Sequence, residues 1–332
     1  MVSTPKIAVI GGGSWATALV KVLAENKVTL KWWIRNEEAR KFIQENNHNP
    51  HYLSSVLIDQ SFVFLEGDLK EAIRQSDYLL MAVPSAFLQD ALKEISKEDL
   101  KGKKIISAIK GMIPERNQII GEFFHNEFSI PFEDVIVISG PCHAEEVALE
   151  KLSYLTVASP SSENAATVSK LLRCRFMNTT PSDDIFGTEF AAVIKNIVAI
   201  ASGICHALGY GDNFQAVLVS NAIGEIQRFI DAVHPINRDI SDSAYLGDLL
   251  VTAYSQFSRN RTFGTMIGKG YSVRSAQLEM NMVAEGYYAA KCVHEVNKKY
   301  KIDMPICEAV YNMLYQKFPA ALEIRLLTEK LH

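Results

Sequence analysis

An α/β fold is predicted for the first part of this 332-residue chain and an all-helical fold for the rest. Three observations predict it. A glycine triplet stands near the start, between an apolar run and a helical pattern. Short apolar runs then alternate with helix-like stretches as far as about residue 158. From about residue 183 the pattern is helical, with no convincing strand. Alternation of this kind builds a parallel sheet with crossover helices. Residues 179–184, Thr-Thr-Pro-Ser-Asp-Asp, interrupt the pattern, so the expected domains are 1–182 and 183–332. A sheet domain followed by a helical domain leaves a cleft between them, a common place for catalysis.

The first strand is Ile7-Ala8-Val9-Ile10. Gly11-Gly12-Gly13-Ser14-Trp15-Ala16 follows and leads into the helical run Thr17-Ala18-Leu19-Val20-Lys21-Val22-Leu23. Glycine there permits positive φ and close backbone approach. The helix points its free N–H groups and positive dipole end at whatever occupies the turn. The pattern is GxGxxA, an accepted variant of the dinucleotide fingerprint, and a pyrophosphate fits the place. Residues 28–34 read as the second strand and 37–45 as a helix. Apolar runs at 78–83, stopped by Pro84, at 104–109 and at 135–139 read as buried strands. Residues 154–158 extend the sheet. Ligands of such sheets bind beyond the carboxyl ends of the strands, where Lys110, Gly140 and Pro141 fall. The first half thus reads as a Rossmann-like domain. In the second half, residues 190–208 read as a buried central helix, with further helices over 214–233, 282–300 and 305–318.

Composition narrows the functional classes. Half the residues are apolar and the net charge is −4, which argues against a general nucleic-acid binder. No signal-peptide pattern opens the chain and no apolar run reaches spanning length, so neither export nor membrane insertion is expected. The five cysteines, Cys142, Cys174, Cys205, Cys292 and Cys307, are scattered without CxxC spacing. That fits free thiols in a reducing, cytoplasmic setting and no metal site.

The end of the second strand bears on the coenzyme. Chains specific for NAD usually place an acidic residue there to hold the ribose 2′-hydroxyl. Trp33-Ile34-Arg35-Asn36 stands here instead. Arg35 suits a 2′-phosphate or stacks on adenine, which favours NADPH without excluding NADH. Arg35 also suits a solvated cation at a helix start.

Lys195 is the candidate for the chemistry. It interrupts Glu189-Phe190-Ala191-Ala192-Val193-Ile194-Lys195-Asn196-Ile197-Val198, the most apolar helix of the chain. An ordinary lysine is neutral in only about one molecule in a thousand near pH 7.5. Burial or a second cation such as Lys110 lowers its pKa, and Asp248 raises it. A base that takes a proton from an alcohol needs the lower value. The alternative is a lysine whose head snorkels to water.

With these residues in order, the chain resembles the bacterial-type NAD(P)-dependent glycerol-3-phosphate dehydrogenases from about residue 6 to residue 320. The glycine turn and Trp33-Ile34-Arg35 match, as do Asn49-Pro50-His51-Tyr52-Leu53, Ala82-Val83-Pro84-Ser85 and Lys110-Gly111. So do residues 139–146, Gly187-Thr188-Glu189, Lys195-Asn196, Gly211-Asp212-Asn213 and Gly247-Asp248-Leu249. Ser258-Arg259-Asn260-Arg261 and Val283-Ala284-Glu285-Gly286 complete the set.

The resemblance implies hydride transfer between NADPH or NADH and dihydroxyacetone phosphate, giving glycerol 3-phosphate for glycerophospholipid synthesis. It implies that Lys195 is the general base and, protonated, the acid. Lys110 would polarise the substrate carbonyl, and Asp248 would orient the substrate hydroxyls or Lys195. Ser258, Arg259 and Asn260 would grip the phosphate, which suits a hydroxyl, a guanidinium fork and an amide. Gly140 and Cys142 would approach the substrate. Gly11, Gly13, Ser14, Trp15, Arg35, Lys110, Ala144, Arg259, Val283 and Glu285 would line the coenzyme. A homodimer is also implied. Two departures stand out: Cys142-His143 replaces the usual Ser or Thr followed by Phe, and Ser220-Asn221-Ala222 replaces a frequent Thr-Arg-Gly. A thiol is a weaker donor than a hydroxyl. Another Rossmann-plus-helical dehydrogenase, acting on a hydroxy acid or a ketopantoate-like substrate, would not require the phosphate grip. A coenzyme sensor would need no Lys195.

Overall fold

A computed structural model describes residues 5–280 and 283–332, and the chain divides into two compact units. The first runs to residue 83 and adds 87–109 and 120–185. The second comprises 84–86, 110–119 and 186–332. Two short pieces of the N-terminal half therefore belong to the C-terminal unit.

The first unit is built on one eight-stranded sheet. Its strands are β1 (Ile7–Ile10), β2 (Leu30–Trp33), β3 (Val63–Glu66), β4 (Tyr78–Met81), β5 (Lys104–Ser107), β6 (Val135–Ser139), β7 (Ser153–Ala158) and β8 (Met177–Ser182). Their spatial order is β8-β7-β6-β5-β4-β1-β2-β3. β1 pairs in parallel with β2 on one side and β4 on the other. The strand order reverses beside β1, which is where a doubly wound sheet opens to a ligand. The glycine turn leaves the sheet at that point. Helix α1 (Ser14–Glu25) follows and buries Leu19, Val22 and Leu23 with Ile7, Val9, Trp32 and Leu80.

The sheet is not wholly parallel, which corrects the reading from alternation. β6 and β7 pair antiparallel, while β7 and β8 run parallel to each other. The turn after β6 brings the backbone close to β7. Gly140 has φ +148°, and a Cβ there would stand 2.4 Å from the carbonyl oxygen of Tyr154 on β7. Only a bare backbone lets the two strands approach so closely. The sequence pattern also missed the two edge strands, β3 and β8. Pro181, taken as a pattern break, sits in β8, where an edge strand tolerates the missing N–H.

The second unit is helical apart from a hairpin of Met112–Ile113 with Gln118–Ile119. Its helices include α2 (Ile185–Ala207), α3 (Asp212–Val233), α4 (Asp248–Tyr254), α5 (Arg259–Gly268), α6 (Glu285–Tyr300) and α7 (Pro305–Tyr315). α2 begins five residues earlier than its apolar run suggested. The helix expected over 282–300 starts at Glu285; Met282, like Met1 to Thr4, lies outside the described residues. By length and composition α2 could cross a membrane, but 89% of its most apolar window is buried inside the protein. Phe190, Ile194, Ile197, Val198 and Ile200 on α2 are each at most 2% exposed, packed with Phe229, Leu249 and Phe263.

Glu225 on α3 is fully buried and caps α7: its carboxylate accepts from Ile306 N at 2.6 Å and Cys307 N at 3.2 Å. Burial pushes its pKa up to about 7, against the pull of those two N–H groups. A carboxyl with a raised folded pKa stabilises most below its unfolded value and loses that contribution as pH rises through about 7. In calorimetric unfolding of wild type and Glu225→Gln, wild type should lose roughly 2–3 kcal/mol relative to the variant between pH 5 and pH 8. Parallel pH curves would refute the raised value.

Candidate active site

Lys195 points into a polar knot inside the helical unit. It lies on α2, and its Nζ donates to Asp248 Oδ1 at 2.5 Å and Thr252 Oγ1 at 2.9 Å. Asp248 opens α4 directly after a π-helical turn, Ser243–Gly247. Thr252 stands one helical turn further on and donates its own proton to the Asp248 carbonyl at 2.6 Å. The other carboxylate oxygen, Oδ2, accepts from Lys110 Nζ at 2.9 Å. Lys110 is fixed at its backbone too, because Asn196 Nδ2 donates to its carbonyl at 2.7 Å. One carboxylate thus serves two ammonium groups. The side chains of Lys195 and Asp248 are 6% and 1% exposed, and that of Lys110 is 17% exposed.

Burial is the largest influence on Lys195 and disfavours its charge. Asp248 pulls the other way, and Lys110 adds to burial by repulsion. The outcome is a pKa lowered to about 7. For Asp248, burial opposes ionisation, yet Lys110 and Lys195 outweigh it and hold the carboxyl below its ordinary value. Lys195 does not snorkel: its charged end is the buried part.

The Ser258-Arg259-Asn260 segment opens α5. Ser258 is its N-cap, with Oγ accepting from Arg261 N at 3.3 Å. Asn260 Oδ1 accepts from Gly286 N at 2.9 Å, which ties the start of α5 to the start of α6. Asn260 therefore spends its carbonyl on the fold and offers its amide nitrogen. Val283 lies just before α6, and Glu285 stands in the first turn. The Glu285 carboxylate takes both the backbone N–H of Ser85, at 2.8 Å, and its hydroxyl. Burial raises the Glu285 pKa, while Ser85 and the positive charge of Arg259 resist the rise.

In the sheet unit, Gly11 has φ +130°, and a Cβ there would stand 2.6 Å from the Ala82 carbonyl oxygen on the strand side. Gly13 caps α1, and a side chain there would meet nothing within 4 Å. Ser14 is buried at the first turn. Trp15 Nε1 is buried without a hydrogen-bond partner among the described residues. Open space over Gly13 and a donor left over fit a polar ligand such as a dinucleotide at this turn. Arg35 follows β2, its side chain 77% exposed, with Nη1 3.6 Å from Asp90. An exposed pair of that kind is weak and leaves the guanidinium available. Ala144 begins a short helix, Ala144–Ala148. Cys142 Sγ donates to the Tyr154 carbonyl at 3.1 Å.

Thr252 was not named from sequence, and Asn196 and Ser85 were named only inside matched motifs, without a role. Thr252 carried a signal, since it lies four residues after Asp248 and so shares its helix face. Nothing in the local pattern indicated the partners of Asn196 and Ser85, which lie 86 and 200 residues away. Among the described residues no group of three or more His, Cys, Asp or Glu is placed to hold a metal ion.

Both halves of the chain match family models. Residues 6–165 match the NAD-dependent glycerol-3-phosphate dehydrogenase N-terminus and residues 184–324 its C-terminus. The chain belongs to the NAD-dependent glycerol-3-phosphate dehydrogenase family. The glycerol-3-phosphate dehydrogenase [NAD(P)+] of Staphylococcus haemolyticus is 36% identical over 319 residues, covering 95% of each chain. That of Chlorobium chlorochromatii is 34% identical over 316 residues, again covering 95% of each. The crystal structure of glycerol-3-phosphate dehydrogenase from Coxiella burnetii superposes with a TM-score of 0.91 at 28% identity, covering 98% of this chain and 99% of that one.

Replacing Asp248 by Asn removes the attraction that holds up the Lys195 pKa and leaves burial and Lys110 unopposed. The value should fall clearly below about 7. The pH dependence of Lys195 acylation, read by mass spectrometry, measures it; an unchanged midpoint would refute the electrostatic coupling.

Proposed function

We propose that this protein is an NAD(P)-dependent glycerol-3-phosphate dehydrogenase in which Lys195 carries the proton. Family membership along both halves supports the reaction. The observation that carries the role of Lys195 is its buried Nζ, held between Asp248 and Thr252 with its pKa brought to about 7. At that value about half the molecules carry a neutral amine at pH 7, against roughly one in a few thousand for an ordinary lysine. The same group can then take a proton from an alcohol in one direction and give one to a carbonyl in the other.

A nicotinamide coenzyme, when bound, would supply or accept the hydride at substrate C2. Gly11, Gly13, Ser14 and Trp15 would hold it at the glycine turn, and Arg35 would serve its adenosine end. Ala144, Val283 and Glu285 are further coenzyme contacts in this reading, and Lys110 and Arg259 serve both ligands. In oxidation, neutral Lys195 takes the C2 hydroxyl proton as the oxygen becomes a carbonyl. In reduction, protonated Lys195 returns that proton to the oxygen. Lys110, anchored through Asp248 and Asn196, places a fixed positive charge for the oxygen where negative charge develops. Asp248 holds both ammonium groups in place. Ser258, Arg259 and the amide of Asn260 take the phosphate, and Gly140 and Cys142 approach the substrate through the backbone, since the Cys142 thiol is turned to Tyr154. Family membership further supports a cytoplasmic homodimer that supplies glycerol 3-phosphate for glycerophospholipid synthesis.

The assay is absorbance at 340 nm with dihydroxyacetone phosphate and each reduced nicotinamide in turn. Lys195→Ala should lower kcat by a factor on the order of 10² to 10⁴ and leave coenzyme affinity within about twofold. In wild type, kcat/KM for glycerol 3-phosphate oxidation should rise with pH through an apparent pKa near 7, because the deprotonated amine is the active form. A normal rate in the variant would discard Lys195. Arg259→Ala should raise KM for dihydroxyacetone phosphate by about 10-fold to 100-fold, the weight of a charge-assisted hydrogen bond. Unphosphorylated dihydroxyacetone should be nearly unaffected; equal effects on both substrates would remove Arg259 from the phosphate grip.

A further inference from the structure

Each carbonyl of the glycine triplet is taken by a different buried side chain. Trp32 Nε1 donates to Gly11 O at 2.7 Å, Asn49 Nδ2 to Gly12 O at 3.0 Å and Thr17 Oγ1 to Gly13 O at 3.0 Å. Trp32 and Thr17 are 0% exposed and Asn49 is 2% exposed. The three are linked, because Asn49 Nδ2 also donates to Thr17 Oγ1 at 2.9 Å. The Asn49 carbonyl oxygen accepts from His51 N at 3.0 Å and Tyr52 N at 3.2 Å. Both amide protons and both lone pairs of Asn49 are thereby used. Nothing in a generic glycine turn requires such an arrangement, and it absorbs the Asn49 motif, which the catalytic reading leaves without a role.

The consequence follows from peptide geometry. The described peptide bonds are all trans, so each N–H lies opposite the carbonyl of its own peptide group. Drawing the carbonyls of Gly11, Gly12 and Gly13 toward Trp32, Asn49 and Thr17 turns the amides of Gly12, Gly13 and Ser14 the other way. A free glycine triplet samples many peptide orientations, and a flipped peptide would present a carbonyl dipole to an approaching anion. We propose that Trp32 and Asn49 are positioning residues that lock these peptide planes and so prepare the turn for the coenzyme pyrophosphate before it arrives. Thr17, as the first-turn hydroxyl of α1, completes the lock. The inference rests on the coenzyme reading above and deepens it: part of the coenzyme affinity comes from ordering already done in the free protein.

The test uses the full chain with calorimetric titration of NADPH and NADH, which needs no turnover. Trp32→Phe keeps an aromatic ring in the core and removes only the N–H; Asn49→Ala removes the amide. Each should raise the Kd of both coenzymes by about fivefold to fiftyfold. Each should leave kcat at saturating coenzyme and KM for dihydroxyacetone phosphate within about twofold. A role confined to fold stability would instead lower kcat and melting temperature together with no change in Kd. Coenzyme Kd values within twofold of wild type in both variants, or that stability pattern, would overturn the inference alone. A wild-type chain that binds neither coenzyme would overturn the coenzyme reading and this inference with it.

Discussion

One carboxylate shared between two lysines is the constraint on which the helical unit depends. Asp248 accepts from Lys195 through one oxygen and from Lys110 through the other, in surroundings that leave it 1% exposed. Removing one member of a buried charge cluster leaves its partners without compensation. The three groups therefore stand or fall together. The lowering of Lys195 from 10.5 to about 7 corresponds to roughly 5 kcal/mol against the charged form. That cost is the residue left after Asp248 has offset part of burial. Without the carboxylate the amine would be a neutral spectator; with more solvent it would be a permanent cation.

The rest of the unit can be understood as support for that balance. α2 carries Lys195 among buried apolar side chains that include Ile194, Ile197 and Val198. The π-helical turn before α4 ends directly at Asp248, and a widened turn of this kind often marks a functional residue. Thr252 accepts from Lys195 while donating to the Asp248 backbone, so it restrains the amine and the helix at once. Asn196, next to Lys195, holds Lys110 by its backbone carbonyl.

The sheet unit solves a different problem. An anion bound by backbone amides needs those amides already aimed, since glycine offers no side chain to hold them. Trp32, Asn49 and Thr17 hold the opposite ends of the same peptides. Rigid donors facing developing or bound charge require no reorganisation on binding. Rigidity in the turn thus comes from residues in β2 and in the 49–52 loop rather than from the glycines themselves.

Much of this was legible in the amino-acid order. The glycine turn, the buried strands β1, β4, β5 and β6, the apolar helix around Lys195 and the candidate roles of Lys110, Asp248 and Arg259 all rest on local pattern or on ordered motifs. Those signals are short-range: periodicity and turn chemistry act within a few residues. Edge strands β3 and β8 escaped because an edge needs neither an unbroken apolar run nor every N–H. The antiparallel return of β7 escaped because strand direction depends on which neighbour the strand pairs with, a long-range matter that an apolar run does not record. Only the tertiary structure placed Lys110 beside Lys195, joined Ser85 to Glu285 across 200 residues of chain and set the sign of the Lys195 shift. Charge balance depends on distance and solvent access in three dimensions, and neither is encoded in the local pattern from which strands and helices can be read.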